Sequence, residues 1–278
     1  MTPSFEDRLR GAIRGQFVGD AASLGAHWIY NLIEMKRAYP SGVQEFEAPL
    51  EGHYHYGKRP GEFTHYGDAA LLMLQSVAEL GRFDPVDFGK RFVEKFGSRS
   101  YKGYIDKATR GTLENKTAFE ETNPGKPFDF QQGADDDQLA TVSRLAPVVV
   151  AHLRDEDLMS VVESATRVCQ NNPRAVAYNQ AHALILVELL QGRDVHSAMH
   201  RAEEIIAKDP VYGAEIRKKI RAAMAVTSKS ATDATMEFGQ SCPLISSFPS
   251  SVQCFVKHSD SFQETILSTI RADRKSVV

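Results

Sequence analysis

The stretch GEFTHYGDAALLMLQSVAEL, residues 61–80, changes at one carboxylate, Asp68, from a polar turn to an almost wholly apolar run. A helix that is apolar on nearly every side must be enclosed by other parts of the chain. An acid at its start can cap the free backbone N–H groups and faces the positive end of the helix dipole. The stretch therefore predicts a buried helix over 68–80, with Thr64, His65 and Tyr66 just before it.

Apolar residues recur at helical spacing along the chain, whereas strand signals are scarce apart from APVVVAHL at 146–153. Two long polar loops, 40–66 and 115–136, interrupt the pattern, and loops of this length are usually functional or disordered. We expect an all-α protein with a single compact multi-helix domain over residues 1–278, and 11–26, 68–80 and 174–190 among its central helices. The predicted helices are 5–24, 68–80, 84–97, 137–153, 156–169, 174–191, 195–207, 210–226, 229–238, 249–257 and 261–271.

The charge balance excludes some classes of partner. The 278 residues include 33 Lys and Arg against 36 Asp and Glu, a formal net charge of -3, which leaves no basic surface for nucleic acid or an anionic membrane. No run approaches the roughly 20 apolar residues of a membrane span, and the first residues lack the apolar core of a signal peptide. We expect a cytoplasmic protein with no nucleic-acid and no membrane partner.

Residues 11–30, GAIRGQFVGDAASLGAHWIY, place Gly11, Gly15 and Gly19 four residues apart, followed directly by Asp20. Glycines on one face of a helix allow another helix to approach closely, and packing alone explains them. Asp20 has two interpretations. It either solvates a helix end or orients groups in a nearby site.

The opening GAIRGQFVGDAASLGA resembles the GAxxGxxxGDAxG opening of the ADP-ribosylglycohydrolase family, the all-helical hydrolases related to dinitrogenase reductase-activating glycohydrolase. Four more blocks follow in the family's order: GDAALLML, SRLAPVVV, NNPRAVAYNQAHAL and SFPSSVQCFVKHSDSFQETI. The resemblance covers most of the chain. It implies an orthogonal helical bundle that hydrolyses an N- or O-glycosidic bond of an ADP-ribosyl or similar nucleotide group.

The resemblance also implies two Mg²⁺ ions, held by Thr-Asp-Asp at the start of an early helix and by Gly-Asp-x-Asp-Thr near the C-terminus. Here Tyr66, Gly67 and Asp68 occupy the first motif, and His27 falls where the family has an acid after its GD motif. The sequence ends TIRADRKSVV, a truncated C-terminus relative to the family, with Asp273 as its only acid. Each lost carboxylate removes charge that offsets the dehydration of a hard cation. We therefore expect Mg²⁺ to be weak or absent, with Asp68 forming a weak single site at most.

Two functions stay open. The Tyr-Gly-Asp form indicates a divergent branch, in which relatives such as the jellyfish lens crystallins resemble the hydrolases without clearly sharing their activity. The chain is either a hydrolase with Asp68 as a catalytic residue, or a catalytically silent binding or structural protein on the same fold. The expected ligand is a small molecule or an ADP-ribosyl group. The resemblance implies that it is bound by Asp20, His27, Thr64, His65, Tyr66, Asp137 and Asn172.

The loop EGHYHYGKRPGEFTHYGD, residues 51–68, brings His53, His55 and His65 near Asp68 in sequence. One hypothesis is that imidazole has replaced carboxylate, so that the site takes Zn²⁺. The alternative is a polar rim, or a surface that stacks an adenine or another flat ring without a metal.

The block GADDDQLATVSRLAP, residues 133–147, contains three successive acids, Asp135, Asp136 and Asp137. Such a run is typical of a solvated loop that leads into a helix. The position of this block in the family keeps Asp137 as a candidate substrate contact. Asn172 and Pro173 are the usual punctuation between two helices, and the family block that they open makes Asn172 a second candidate.

Overall fold

The computed structural model describes residues 3–29 and 31–272. Within these ranges the chain forms 13 α-helices and no β-strand, with one isolated parallel bridge between Ala134 and Gln170. The all-α prediction is confirmed. The helices are α1 (Phe5–Ser23), α2 (Leu32–Ala38), α3 (His65–Leu80), α4 (Pro85–Phe96), α5 (Lys107–Thr122), α6 (Ala146–Ala151), α7 (Leu158–Arg167), α8 (Pro173–Leu190), α9 (Val195–Ile206), α10 (Gly213–Ala225), α11 (Ala231–Phe238), α12 (Leu244–Lys257) and α13 (Phe262–Arg271).

The helices cluster into two compact units. Unit 1 comprises Met1–Thr64 and Glu188–Val278, and unit 2 comprises His65–Val187. The expectation of one domain over residues 1–278 stays a prediction. Among the described helices, none combines the length and the apolar character that a membrane crossing requires. Asp273, the last acid of the sequence, lies outside the described residues.

In unit 1, α1 packs against α13, and α12 packs against α10, α11 and α13. Gly15 is at the contact of α1 with α13, since a Cβ atom added there would lie 3.4 Å from a ring carbon of Phe262. Gly11 has no such neighbour within 4 Å, so the predicted glycine strip is not used along its whole length. A buried cluster of apolar side chains joins residues 35–43 to α13: Met35, Tyr39, Val43, Ile266, Leu267 and Ile270.

In unit 2, α3 packs against α4, α6 and a 3-10 turn, Val142–Arg144. The predicted start of α4 is confirmed, because Asp84 accepts the backbone N–H groups of Val86 and Asp87. Arg144 is buried beside this helix, its guanidinium carbon 5.6 Å from the ring centroid of Phe88 and 5.5 Å from that of Phe92.

The helix predicted over 68–80 begins at His65, so that His65 and Tyr66 belong to it and Asp68 lies in its first turn. Two further predicted boundaries in unit 2 are wrong for identifiable reasons. The loop expected over 115–136 begins only after α5, a mostly polar helix that buries little more than Ala108, Thr109 and Thr112. The helix expected over 137–153 begins as a helical turn only at Val142, because the Gln170 side chain bonds the backbone of Thr141 and holds the preceding loop. Neither the polar helix α5 nor the bond from Gln170 can be predicted from the spacing of apolar residues. The short α2 was not predicted.

The burial of α3 can be tested with one pair of variants. Met73 is fully buried in α3, whereas Leu71 on the same helix is 38% exposed. We expect Met73→Ala to lower the free energy of unfolding by about 2–5 kcal/mol, because it removes packed atoms and leaves a cavity. The matched Leu71→Ala change should cost clearly less in the same urea titration. Equal losses would show that α3 is not enclosed as described.

Candidate functional site

Asp20, in the last turn of α1, binds Thr64 through both carboxylate oxygens. Its Oδ1 accepts the hydroxyl of Thr64 at 2.5 Å, and its Oδ2 accepts the backbone N–H of Thr64 at 2.8 Å. Both residues are buried, and a buried carboxylate requires donors of this kind. Asp20 therefore orients the residue that comes directly before α3, rather than solvating a helix end.

His27 belongs to an aromatic cluster in unit 1. Its buried ring lies 4.3 Å from the ring of Trp28 and 5.4 Å from that of His55, and its carbonyl accepts Nε2–H of His53. Burial lowers the pKa of His53, although this hydrogen bond opposes the shift. Trp28 has a φ of 66°, in the left-handed region that bulky residues rarely adopt. These rings pack against one another, and a role in stacking a ligand stays a prediction.

In unit 2, the first turn of α3 presents His65, Tyr66 and Asp68. The hydroxyl of Tyr101 donates to Oδ2 of Asp68 at 2.9 Å. The ring of the buried His65 lies 3.9 Å from the ring of Tyr66 and 5.3 Å from that of Tyr104, between centroids. The carboxylate of Asp68 thus accepts a hydrogen bond from a phenol, and the ring of Tyr66 packs against the ring of His65.

Asp106 connects the first residue of α3 to the start of α5. Its Oδ2 lies 3.7 Å from Nε2 of His65, and its Oδ1 caps α5 by accepting the backbone N–H of Thr109 at 2.8 Å. Burial opposes the ionised form, but the contact with His65 and the bonds to Thr109 outweigh it and hold the pKa of Asp106 well below its ordinary value. His65 and Asp106 therefore form a buried ionisable pair.

Asp136 is a second buried carboxyl group beside α5. Its Oδ1 accepts the backbone N–H of Gln138 and the side-chain amide of Gln170, both at 2.9 Å. Its Oδ2 lies 3.9 Å from Nζ of Lys107, an exposed cation. Burial raises the pKa of Asp136, and the negative charge of Asp106 adds to that effect, although the two hydrogen bonds oppose it. The pKa of Asp106 is thus lowered, whereas that of Asp136 is raised.

Two other predicted contacts, Asp137 and Asn172, lie in unit 2. Oδ2 of Asp137 is 3.7 Å from a guanidinium nitrogen of Arg174. The side-chain amide of Asn172 donates to Asp135 at 2.6 Å, and its oxygen accepts two backbone N–H groups at the start of α8. Asn172 therefore has the capping role that its sequence pattern indicates. A role for either residue in binding substrate stays a prediction.

The structure thus divides the predicted residues between two local sites. Within unit 1, Asp20 is joined to Thr64, while His27 lies in the aromatic cluster. Within unit 2, His65 packs on Tyr66, and Asp68 lies in the same first turn of α3.

The donors at the family's metal position do not fit a pair of Mg²⁺ ions. Mg²⁺ requires near-octahedral coordination by oxygen. Tyr66, Gly67 and Asp68 supply one phenol, no side chain and one carboxylate. Across residues 3–29 and 31–272, no three His, Cys, Asp or Glu side chains are grouped so that they could hold a metal ion. A single weak ion at Asp68, and Zn²⁺ as the alternative, stay predictions.

Sequence reasoning missed the residues that surround His65. Asp106 precedes a polar helix that was not predicted, although an Asp before a Lys-Ala-Thr run is a possible cap. Asp136 was interpreted as part of a solvated acidic run, but it is 3% exposed. Its partner Gln170 is 34 residues away in the chain, so no local pattern relates the two.

An all-helical chain with buried carboxylates at helix starts is consistent with several classes of protein, and the comparisons distinguish among them. The family described as ADP-ribosylglycohydrolase matches residues 1–277. The chain belongs to the ADP-ribosylglycohydrolase family, and the resemblance seen in the sequence is confirmed.

Individual relatives are more distant. Crystallin J1A and Crystallin J1B of Tripedalia cystophora are 25% and 23% identical over 274 residues, and each match covers 96% of this chain and 82% of the relative. A solved structure described as an ADP-ribosylglycohydrolase-related protein complex superposes with a TM-score of 0.70 at 22% identity. That match covers 98% of this chain and 84% of the other, and it supports the fold.

The contact between Asp20 and Thr64 gives a stability prediction. Asp20→Ala leaves two buried Thr64 donors without this acceptor, so we expect a loss of about 1–3 kcal/mol or more in the free energy of unfolding. Asp20→Asn, which keeps one acceptor oxygen, should lose less. The exposed Asp260→Ala is the control, and urea titration is the measurement. A loss for Asp20→Ala no larger than that of the control would contradict the positioning role.

Proposed function

We propose that the chain hydrolyses an N- or O-glycosidic bond of an ADP-ribosyl or related nucleotide group, bound at unit 2. The observation that carries this proposal is the set of ionisable side chains where α3 and α5 begin. There His65 contacts Asp106, and the charge of Asp106 in turn acts on Asp136. Two ionisable groups whose environments shift their pKa values in opposite directions are the usual acid and base of hydrolytic sites. Family membership supplies the substrate class.

The surroundings of these groups suit a nucleotide. The partly exposed ring of Tyr104 packs against the buried ring of His65, which packs in turn on Tyr66. An aromatic ring that is partly exposed offers a flat apolar face to a base. Two cations, Lys107 and Arg174, have side chains that are 69% and 38% exposed and lie beside Asp136 and Asp137. Partly exposed cations suit the pyrophosphate of such a ligand. Asp20, His27 and Thr64 stay predicted substrate contacts.

A second candidate is a catalytically silent binding or structural protein. It is favoured by one observation, that two of the relatives carry the name crystallin. Fold and family do not fix chemistry, and a family site can persist without turnover. Ligand binding and ligand release therefore need separate measurements.

The metal prediction separates this chain from a two-metal hydrolase. We expect calorimetric titration to give no two-ion stoichiometry for Mg²⁺ or Mn²⁺ at micromolar affinity, because Asp68 is the one carboxylate at the position of the first motif. Any weak site should disappear in Asp68→Ala and persist in Asp157→Ala, which removes an exposed acid of unit 2. Two tightly bound Mg²⁺ ions, lost on Asp68→Ala, would contradict the prediction. Selective Zn²⁺ binding would instead favour the histidine hypothesis.

Binding of ADP-ribose tests the proposed site directly. We expect the double variant Lys107→Ala and Arg174→Ala to bind ADP-ribose about tenfold more weakly at low salt, since two charges near a pyrophosphate are worth roughly 1–2 kcal/mol. The loss should shrink as salt screens the charges. Lys126→Ala, which removes another exposed cation of unit 2, is the matched control.

The same preparations should be assayed for release of ADP-ribose from N-linked arginine and O-linked serine conjugates. Release that falls with the double variant supports hydrolysis at unit 2. If the unmodified chain binds ADP-ribose without releasing it from the conjugates, the chain is a silent binding protein. If it neither binds nor releases ADP-ribose, the result supports a structural protein. Equal affinity in the double variant and in the control would contradict the placement of the pyrophosphate.

A further inference from the structure

The segment that joins α4 to α5, residues 97–106, contacts the first turn of α3 through two tyrosines. We call this segment the connector. The phenol of Tyr101 donates to Oδ2 of Asp68 at 2.9 Å. The ring of Tyr104 lies 5.3 Å from the ring of His65, between centroids. The connector therefore lies against the polar start of α3, and Tyr101 is its contact with the carboxylate there.

Several neighbours fix the side chain of Tyr101. Its ring lies 4.8 Å from the ring of Phe96, and Nζ of Lys95 is 5.7 Å from its centroid. Its backbone N–H donates to the carbonyl of Ser98 at 3.1 Å. Gly103 leaves room for the hydroxyl, since a Cβ atom added at this glycine would lie 2.3 Å from the phenol oxygen. The surroundings of the phenol thus hold its oxygen in one place.

We infer that Tyr101 takes, at Asp68, the role that the resemblance implies for a metal ion. Its phenol satisfies the carboxylate with a hydrogen bond, and a cation binds there only when the phenol is displaced. The inference is carried by that hydrogen bond and by the close fit of the phenol against Gly103. It goes beyond the proposed function, because it concerns what the chain itself places on Asp68 and does not require hydrolysis.

The chemistry of this position favours the phenol over a cation. A donor and a metal ion compete for the same oxygen lone pairs, and a hydrogen bond to a charged acceptor is stronger than one between neutral groups. The ammonium of Lys95 beside the ring draws electron density from the phenol and strengthens it as a donor. Mg²⁺ gives up its water reluctantly, and Tyr66 and Gly67 add no second carboxylate to compensate. The phenol is therefore the stronger partner of Asp68.

The inference is tested by titration with Mn²⁺ alone, in which the electron paramagnetic resonance signal of the free ion reports weak as well as tight binding. Tyr101→Phe keeps the ring and removes the O–H, so we expect it to bind Mn²⁺ about tenfold more tightly than the unmodified chain. Gly103→Ala keeps the phenol but pushes it from its place, and it should raise the affinity in the same direction. Tyr56→Phe, the same change at a tyrosine that is 64% exposed, should leave the affinity unchanged.

A double variant assigns the gained ion to its carboxylate. Tyr101→Phe combined with Asp68→Asn should lose the gain, because asparagine keeps the shape of the side chain and removes its charge. The single variants should still unfold cooperatively in urea, since the aromatic ring that packs on Phe96 is present in both.

The outcomes that would overturn the inference are distinct from those that bear on hydrolysis. An unchanged Mn²⁺ affinity in Tyr101→Phe, a gain that survives Asp68→Asn, or a gain of the same size in Tyr56→Phe would overturn it. Tight Mn²⁺ binding by the unmodified chain would overturn it as well, since the phenol would then not exclude the cation. None of these measurements involves ADP-ribose, so the hydrolase proposal is decided by its own assays.

Discussion

The bond between Asp20 and Thr64 holds the residue that directly precedes α3 in the chain. A buried carboxylate without donors would cost several kcal/mol, so Asp20 is stable inside unit 1 only while both of its oxygens are satisfied. Thr64 supplies both donors, one from its backbone and one from its hydroxyl. The next residue along the chain is His65, where the polar first turn of α3 starts.

The same requirement explains the form of the site in unit 2. Asp106 is buried, so its oxygens need partners: Oδ1 accepts the backbone N–H of Thr109, and Oδ2 lies 3.7 Å from Nε2 of His65. Asp136 has amide donors instead, and burial raises its pKa although these hydrogen bonds oppose the shift. Two carboxyl groups close to one helix start therefore have unlike surroundings, a helix cap and a histidine for Asp106 and neutral amides for Asp136. Hydrolytic chemistry uses such a difference.

The sequence predicted most of the helices because apolar spacing and caps are local signals. Asp84 is an example, since cap and first helical residue are adjacent in the chain. The segment from Asp136 to Thr141 could not be predicted, because Gln170 holds it from far along the chain. The candidate residues of the first turn of α3 came from the family motif. Asp106 and Asp136 did not, since their importance lies in burial and in partners that only the fold brings together.

A crystal structure with ADP-ribose, grown in Mn²⁺ and measured for anomalous scattering, tests the central claim most directly. We expect the ribose farther from the adenine to lie at the starts of α3 and α5. At Asp68 we expect no more than one weak Mn²⁺ peak. Two strong Mn²⁺ peaks coordinating the ribose at Asp68, or ADP-ribose bound away from the starts of α3 and α5, would contradict it.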